Sequence, residues 1–334
     1  MGFQRSIHCL HWGIDAQPRP LAPPPPVTLL IGVGPTQGWL TDDLNTFFLF
    51  NVPAGMTGKT WRDIRRGPNG HWCAVGNNDA VMHSVDDGKT WIIATYFQVP
   101  GKNFWSCAWD NANSRWLLLG GTPSDREIYS YIPSIGWVIP AYNNGAGSAG
   151  EYTSIAWSAI YSLFFMTTTN NTSRLWSSTN GASWSTVAPT ADYAGGGNPA
   201  RMVRPYGSKL FNARDGAVAV MNSLTPTGSA ASVPGTPSMT DIAYSPLLDR
   251  YIAVSGSTDL AKGAGNVLSS PAVENLGAAL LNRCFWLSGV AKFVAFYNDL
   301  TWMFTSPDGL TFTSTYLVPK GIPTTGTVGG RDVF

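Results

Sequence analysis

The chain has 334 residues, of which 44% are hydrophobic and only 12% charged, with 21 Lys+Arg against 20 Asp+Glu. That length holds one large domain or two ordinary ones, with ample apolar material for a core. A net charge of +1 and the lack of any Lys/Arg run exclude an electrostatic footprint for nucleic acid, and no apolar stretch approaches the ~20 residues of a membrane span. Thirty-six Gly, 24 Pro and 41 aromatics, with Glu only at Glu127, Glu151 and Glu274, predict an all-β chain of short strands and turns.

Residues 1–26 end in PRPLAPPPP, an extended polyproline stretch that cannot join a sheet. Such a segment reads as a disordered leader, but Phe3, Ile7, Leu10, Trp12 and Ile14 precede the prolines, which predicts instead an N-terminal arm that docks on a neighbouring subunit, ahead of a folded domain over 27–334. Met1 to Ile14 lacks the apolar core of a signal peptide. His8, Cys9 and His11 are adjacent ligand types without a second pair, so neither a metal site nor a cofactor is expected. Cys9, Cys73, Cys107 and Cys284 are too scattered for a disulfide framework, which points to synthesis in a reducing cytosol. The last two, like Ile155, fall at a repeated core position.

That repeat organises the chain. WRDIRRGPNGHWCAVG from Trp61, FWSCAWDNANSRWLLLG from Phe104, YTSIAWSAIYSLFFMT from Tyr152, MTDIAYSPLLDRYIAVSG from Met239 and LNRCFWLSGVAKFVAFYN from Leu281 each read as strand, turn and strand. Ile64, Cys107, Ile155, Ile242 and Cys284 hold one apolar position. Two residues on stand Arg66, Trp109, Trp157, Tyr244 and Trp286, which share a face with it because side chains alternate along a strand. A weaker copy places Val203 and Phe211 in the anchor positions. Anchors 64, 107, 155, 203, 242 and 284 are 39 to 48 residues apart, close to the spacing of four-stranded propeller blades. A seventh unit starts at its second strand, TLLIGVG from Thr28, and GGRDVF (Gly329 to Phe334), which resembles Thr60 to Ile64, is expected to supply the missing first strand. The predicted fold is a seven-bladed β-propeller of four-stranded antiparallel blades, closed by the C-terminal strand with no exposed sheet edge.

Most units continue into a hairpin. SVDDGKTW (Ser84, Asp86, Gly88, Trp91) matches S-x-D-x-G-x-x-W throughout. Ser177, Gly181 and Trp184 keep part of it, as do Thr305, Gly309 and Phe312; Thr41, Asp43 and Phe48 keep another part, with Asn45 at the glycine position. SYIPSIGW (Ser130 to Trp137) keeps only the ends. The polar residues are expected to bind turn N–H groups, the glycine to take positive φ, and the aromatic to pack between blades.

These phrases resemble the Asp-box, or bacterial-neuraminidase, repeat of β-propellers. SVDDGKTW and IAYSPLLDRYIAVSG resemble the propeller proteins of tailed-bacteriophage structural modules. That resemblance implies a non-enzymatic virion component of the tail, fibre or nozzle, made in the host cytoplasm and present in multiple copies of a symmetric assembly. It implies other virion structural proteins as partners, through the arm and propeller faces, with a host glycan as a further partner. Asp-box propellers also serve photosystem biogenesis, but that family implies an export or lipoprotein signal.

Asp-box propellers include sialidases, and the resemblance then implies an arginine triad for the substrate carboxylate, a Tyr–Glu nucleophile pair and an aspartate as acid/base. The R-I-P-type motif is missing, and Arg204–Pro205 lies in the weakest repeat. Only Glu151–Tyr152 offers a nucleophile pair. No catalytic residue is therefore assigned, and three guanidinium groups converging over the central hole would overturn an inert scaffold. Trp91, Trp137 and Trp184 are expected between blades, whereas Trp39, Trp105, Tyr142 and Tyr193 are expected as exposed aromatics, beside the polar loops 143–150 and 193–199.

Overall fold

The computed structural model describes residues 28–94, 101–122, 125–134, 136–143, 152–168, 175–187, 200–214, 217–221, 229–232, 238–264, 272–277 and 280–330. The arm residues Phe3, Ile7, Leu10, Trp12 and Ile14 lie outside that set, as do His8, Cys9, His11, Glu151 and Tyr193.

Seven four-stranded antiparallel sheets form a ring. In blade 1, Leu30–Val33, Gln37–Thr41 and Phe48–Asn51 are completed by Thr327–Gly330, which pairs Leu30↔Gly330 through Val33↔Thr327. The other inner strands are Trp61–Arg66, Asn103–Asp110, Tyr152–Ser158, Ala200–Tyr206, Met239–Ser245 and Leu281–Leu287, in blades 2 to 7.

The chain ends thus close the ring, in a different register from the expected one. Val328, rather than a residue of Arg331–Phe334, occupies the place of Ile64, because Leu30 pairs Thr41 as Trp72 pairs Ser84. The strand is squeezed between neighbours. A Cβ at Gly329 would lie 2.5 Å from the Ile64 carbonyl oxygen, and one at Gly330 would lie 2.4 Å from the Phe285 ring. Close approach therefore demands glycine there.

Each sheet is covered on both faces, so its second strand is mostly apolar. Along Trp72–Gly76, every residue is buried. Trp72 and Ala74 join the cluster shared with blade 1, while Cys73 and Val75 join the one shared with blade 3. Alternation thus sends successive side chains to opposite neighbours. Seven such clusters occupy the seven blade interfaces, and the ring-closing interface packs Phe285, Phe296 and Met303 against Leu30, Trp39 and Val328.

The aromatic offsets hold in five blades, where Arg66 pairs Trp72, Trp109 pairs Trp116, Trp157 pairs Phe164, Tyr244 pairs Tyr251 and Trp286 pairs Phe293. Blade 5 departs from them. Phe211 pairs Arg204, one residue beyond Val203, and therefore faces blade 6, against Tyr244 and Tyr251. Trp39 is also a correction. It is fully buried, with its ring over Gly32 where a Cβ would clash at 2.2 Å. Cys73, Cys107 and Cys284 are buried.

Candidate binding depression on the ring axis

Closing a ring pairs the chain ends, but each blade still has an inner strand edge that faces the axis. Its N–H groups need acceptors. The register shifts at one place in six inner strands: between Trp61 and Asp63, Phe104 and Ser106, Tyr152 and Ser154, Ala200 and Met202, Met239 and Asp241, and Leu281 and Arg283. A bulge at this position re-aims the residues on either side of it.

Immediately after each bulge comes a residue of an axial belt: Asp63, Ser106, Ser154, Met202, Asp241 and Arg283, with Thr327 in the corresponding place of the closing strand. Belt side chains accept the N–H of the next blade's anchor residue. Cys107 donates to Asp63 (3.4 Å), Ile155 to Ser106 (3.3 Å), Val203 to Ser154 (3.4 Å) and Cys284 to Asp241 (3.3 Å). Met202 offers only a thioether, and Ile242 turns its N–H to Asp241 of its own strand instead (2.9 Å).

Charges cross the axis as well. Arg65 binds Asp63 at 3.0 Å, and Arg283 lies 3.4 Å from the other oxygen of that carboxylate. Arg204 holds Asp241 through two bonds of 3.1 Å, and Arg283 reaches Asp241 at 4.0 Å. Burial pushes the Asp63 carboxyl up, opposed by Arg283, Ser106, Arg204 and the Cys107 N–H. The guanidinium groups of Arg65, Arg204 and Arg283 gather at the centre, each set against Asp63 or Asp241. They lie among aspartates inside the channel, and the weakest repeat contributes one of the best-formed pairs.

Above the belt, at the end where the inner strands begin, lies a depression of about 640 Å³. Its walls include the bulged residues Arg62, Trp105, Thr153, Thr240 and Asn282, with Lys59 at the side and Arg283 beneath. Arg62 Nε donates to Asn77 Oδ1 (2.5 Å) and Lys59 Nζ to the Asn78 carbonyl (2.6 Å), so one loop holds both cations in place. Trp61 Nε1 and Arg283 Nε are buried without a hydrogen-bond partner. At the opposite end a space of only about 40 Å³ lies between Arg65, Trp109, Trp157 and Pro205. Of the expected exposed aromatics, Trp105 reaches the depression, and the side chain of Tyr142 is outside the described residues.

Four outer hairpins share one hydrogen-bond pattern, and three correct the expected alignment. Ser178, not Ser177, binds the Gly181 N–H (2.8 Å), while Asn180 accepts from Ala182 and Ser183. Ser306, not Thr305, binds the Gly309 N–H (2.8 Å), and Asp308 accepts from Leu310 and Thr311. Thr41 binds the Leu44 N–H (3.0 Å), Asp43 accepts from Asn45 and Thr46, and the packed ring is Phe47 rather than Phe48, which is exposed. Leu44, at φ 66°, holds the left-handed position expected of Asn45. The loop at Ser84 is one residue longer, with Gly88 bound to Ser84 (3.0 Å) and Thr90 to Asp86 (2.9 Å). In the other three turns the hydroxyl binds the N–H three residues on instead of four, which accounts for the one-residue differences.

The aromatics close these turns. Trp91 donates to the Gly88 carbonyl and stacks on Phe50 of blade 1, and Trp184 donates to the Gly181 carbonyl. Phe312 packs against the cluster between blades 6 and 7. The side chain of Trp137 is outside the described residues. Glu127 and Glu274 lie on the third and fourth strands of their blades, where Glu127 pairs with Lys102 (3.1 Å) and Glu274 with Lys262 (2.7 Å). Among the described residues, no group of three His, Cys, Asp or Glu could hold a metal, and no helix is long and apolar enough to cross a membrane.

No known family and no curated protein matches the sequence. Many solved structures match the fold. The chain is similar to RRP9 WD40 repeats (TM-score 0.59, 10% identity, 80% of this chain and 82% of that one). It is similar to YCF48 bound to a D1 peptide (0.58, 12%, 77% and 82%) and to the WD40 β-propeller domain of Doa1 (0.57, 12%, 78% and 83%). At such identities the likeness defines the class of protein, a seven-bladed β-propeller.

Proposed function

We propose that the protein is a non-enzymatic structural and interaction component of a tailed-bacteriophage virion, with Asp-box-type hairpins, that binds neighbouring virion proteins through residues 1–26 and its faces. The observation that carries the binding reading is the axis. Asp63 and Asp241, the carboxylates of the belt, are held by arginines and anchor N–H groups, which suits them to scaffolding rather than proton transfer. Sequence phrasing supports the virion role, and one solved neighbour with a bound peptide supports recognition of other chains by this fold.

Removal of residues 1–26 tests the role. The truncated chain is expected to keep its β-sheet circular dichroism and to be missing from purified particles. Normal incorporation would refute the arm. A second reading, glycan recognition, is supported by Trp105 beside Thr153, Thr240 and Asn282 in the depression, since an indole face with hydroxyl and amide groups suits a sugar. A glycan array tests it, and steady release of product from a fluorogenic sialoside would contradict the non-enzymatic assignment.

A further inference from the structure

The depression has a chemical bias that the virion reading neither needs nor explains. Its described lining carries three cationic side chains, Lys59, Arg62 and Arg283, and no carboxylate. Arg283 Nε and Trp61 Nε1, both donors on lining residues, are buried without a partner. Arg283 is 92% buried, its exposure being 8%, so this unmet donor is not left to bulk water. The two rim cations are already positioned by the carbonyl oxygens of Asn77 and Asn78, and their remaining donors are free to face a ligand. A pocket in which cations and unmet donors gather, at the end of a channel already filled by paired charges, is complementary to an acceptor with negative charge.

We propose that this depression binds a carboxylate-bearing ligand. Arg62 and Lys59 meet the anion at the rim, Arg283 supplies positive charge from the floor, and Trp105 provides a face for the body that carries the carboxylate. Thr153, Thr240 and Asn282 serve the neutral polar groups of that body. The bulges are the device that makes the site. They turn Arg62, Trp105, Thr153, Thr240 and Asn282 from five different blades toward one mouth, which regular strands would not do.

Titration calorimetry on the full chain at low ionic strength, with glucuronate, citrate, sulfate and glucose as probes, tests the assignment. Glucuronate and citrate are expected to bind at least tenfold more tightly than glucose, and to weaken with added salt. The double variant K59Q/R62Q changes only rim residues and preserves the belt; it is expected to lose at least tenfold in affinity for both carboxylates. R283K keeps the floor charge without the guanidinium fork and is expected to weaken them less than the rim variant. Tighter binding of glucuronate than of citrate would assign the ligand as an acidic sugar, and the reverse would assign a simple polyacid. Sulfate binding as tightly as either would overturn the carboxylate assignment. Glucose binding equal to that of glucuronate, carboxylate binding unchanged in K59Q/R62Q, or no carboxylate binding at millimolar concentration would each overturn the site. None of these outcomes bears on whether the truncated chain enters particles.

Discussion

The axis and the outer hairpins both repeat a polar device at one position of successive blades, yet they differ in where the partners come from. In the hairpins, Ser, Thr, Asp and Asn bind N–H groups two to four residues away, at the solvent-facing ends of the sheets. At the axis, partners in neighbouring blades are 37 to 49 residues apart, and 221 apart where Arg283 donates to the Arg62 carbonyl. The hairpins can therefore form within one blade, whereas most belt bonds need two blades in place and the contacts of Arg283 with Asp63 and the Arg62 carbonyl need the closed ring. Local turns set the shape of each blade, and the buried axial charges couple the blades to one another.

Substitutions should separate the two regions. Asp241→Ala removes the twin bonds to Arg204 and the acceptor of the Ile242 and Cys284 N–H groups. Leaving a buried guanidinium unpaired is expected to cost about 3–5 kcal/mol in urea unfolding. A loss no larger than that of a hairpin variant would break the distinction between axis and rim.

Acid offers the next largest effect, from a residue between the two regions. His83, on the third strand of blade 2, is buried beside the Tyr131 hydroxyl (2.8 Å). Burial, with His71 nearby, lowers it from 6.5 to about 4. The folded protein then holds fewer protons than the unfolded chain between those values, so stability falls as pH drops from 6.5 to 4, by about 3 kcal/mol if the whole difference is expressed. His83→Gln should flatten that limb of the melting-temperature profile; an unchanged slope would assign the loss elsewhere. A further decline toward pH 2 is expected from Asp308, which the Thr311 and Leu310 N–H groups hold down to about 2. Its depressed value means that its contribution is complete above pH 4 and lost below.

The smallest effect tests the hairpin register. Ser178→Ala removes the bond to the Gly181 N–H and should cost about 1 kcal/mol, whereas Ser177→Ala should stay within about 0.5 kcal/mol. Equal costs would show that the turn is not fixed by the 178 hydroxyl.

This comparison also explains what could be read from the chain alone. Blade number and strand phase were legible because Ile64, Cys107, Ile155, Val203, Ile242 and Cys284 repeat within compact strand–turn–strand phrases. Hairpins were legible as a class, but the longer Ser84 loop shifted the alignment of Ser178, Ser306 and Phe47 by one. Closure was legible in its direction and missed in register, since Val328, Gly329 and Gly330 carry almost no side-chain signal and the Arg–Asp pair just beyond them resembles Arg62–Asp63. The belt was not legible at all. Asp63, Ser106, Ser154, Met202, Asp241, Arg283 and Thr327 are of five residue types, because each needs only to meet its own neighbours at the axis.

Amide hydrogen exchange by mass spectrometry tests ring closure most directly. Peptides covering Leu30–Val33 and Thr327–Gly330 should be protected to the level of the most stable blades and lose protection together with them in rising denaturant. Fast exchange at Thr327–Gly330 while the inner strands of blades 2 to 7 stay protected would contradict a closed, axially tied ring.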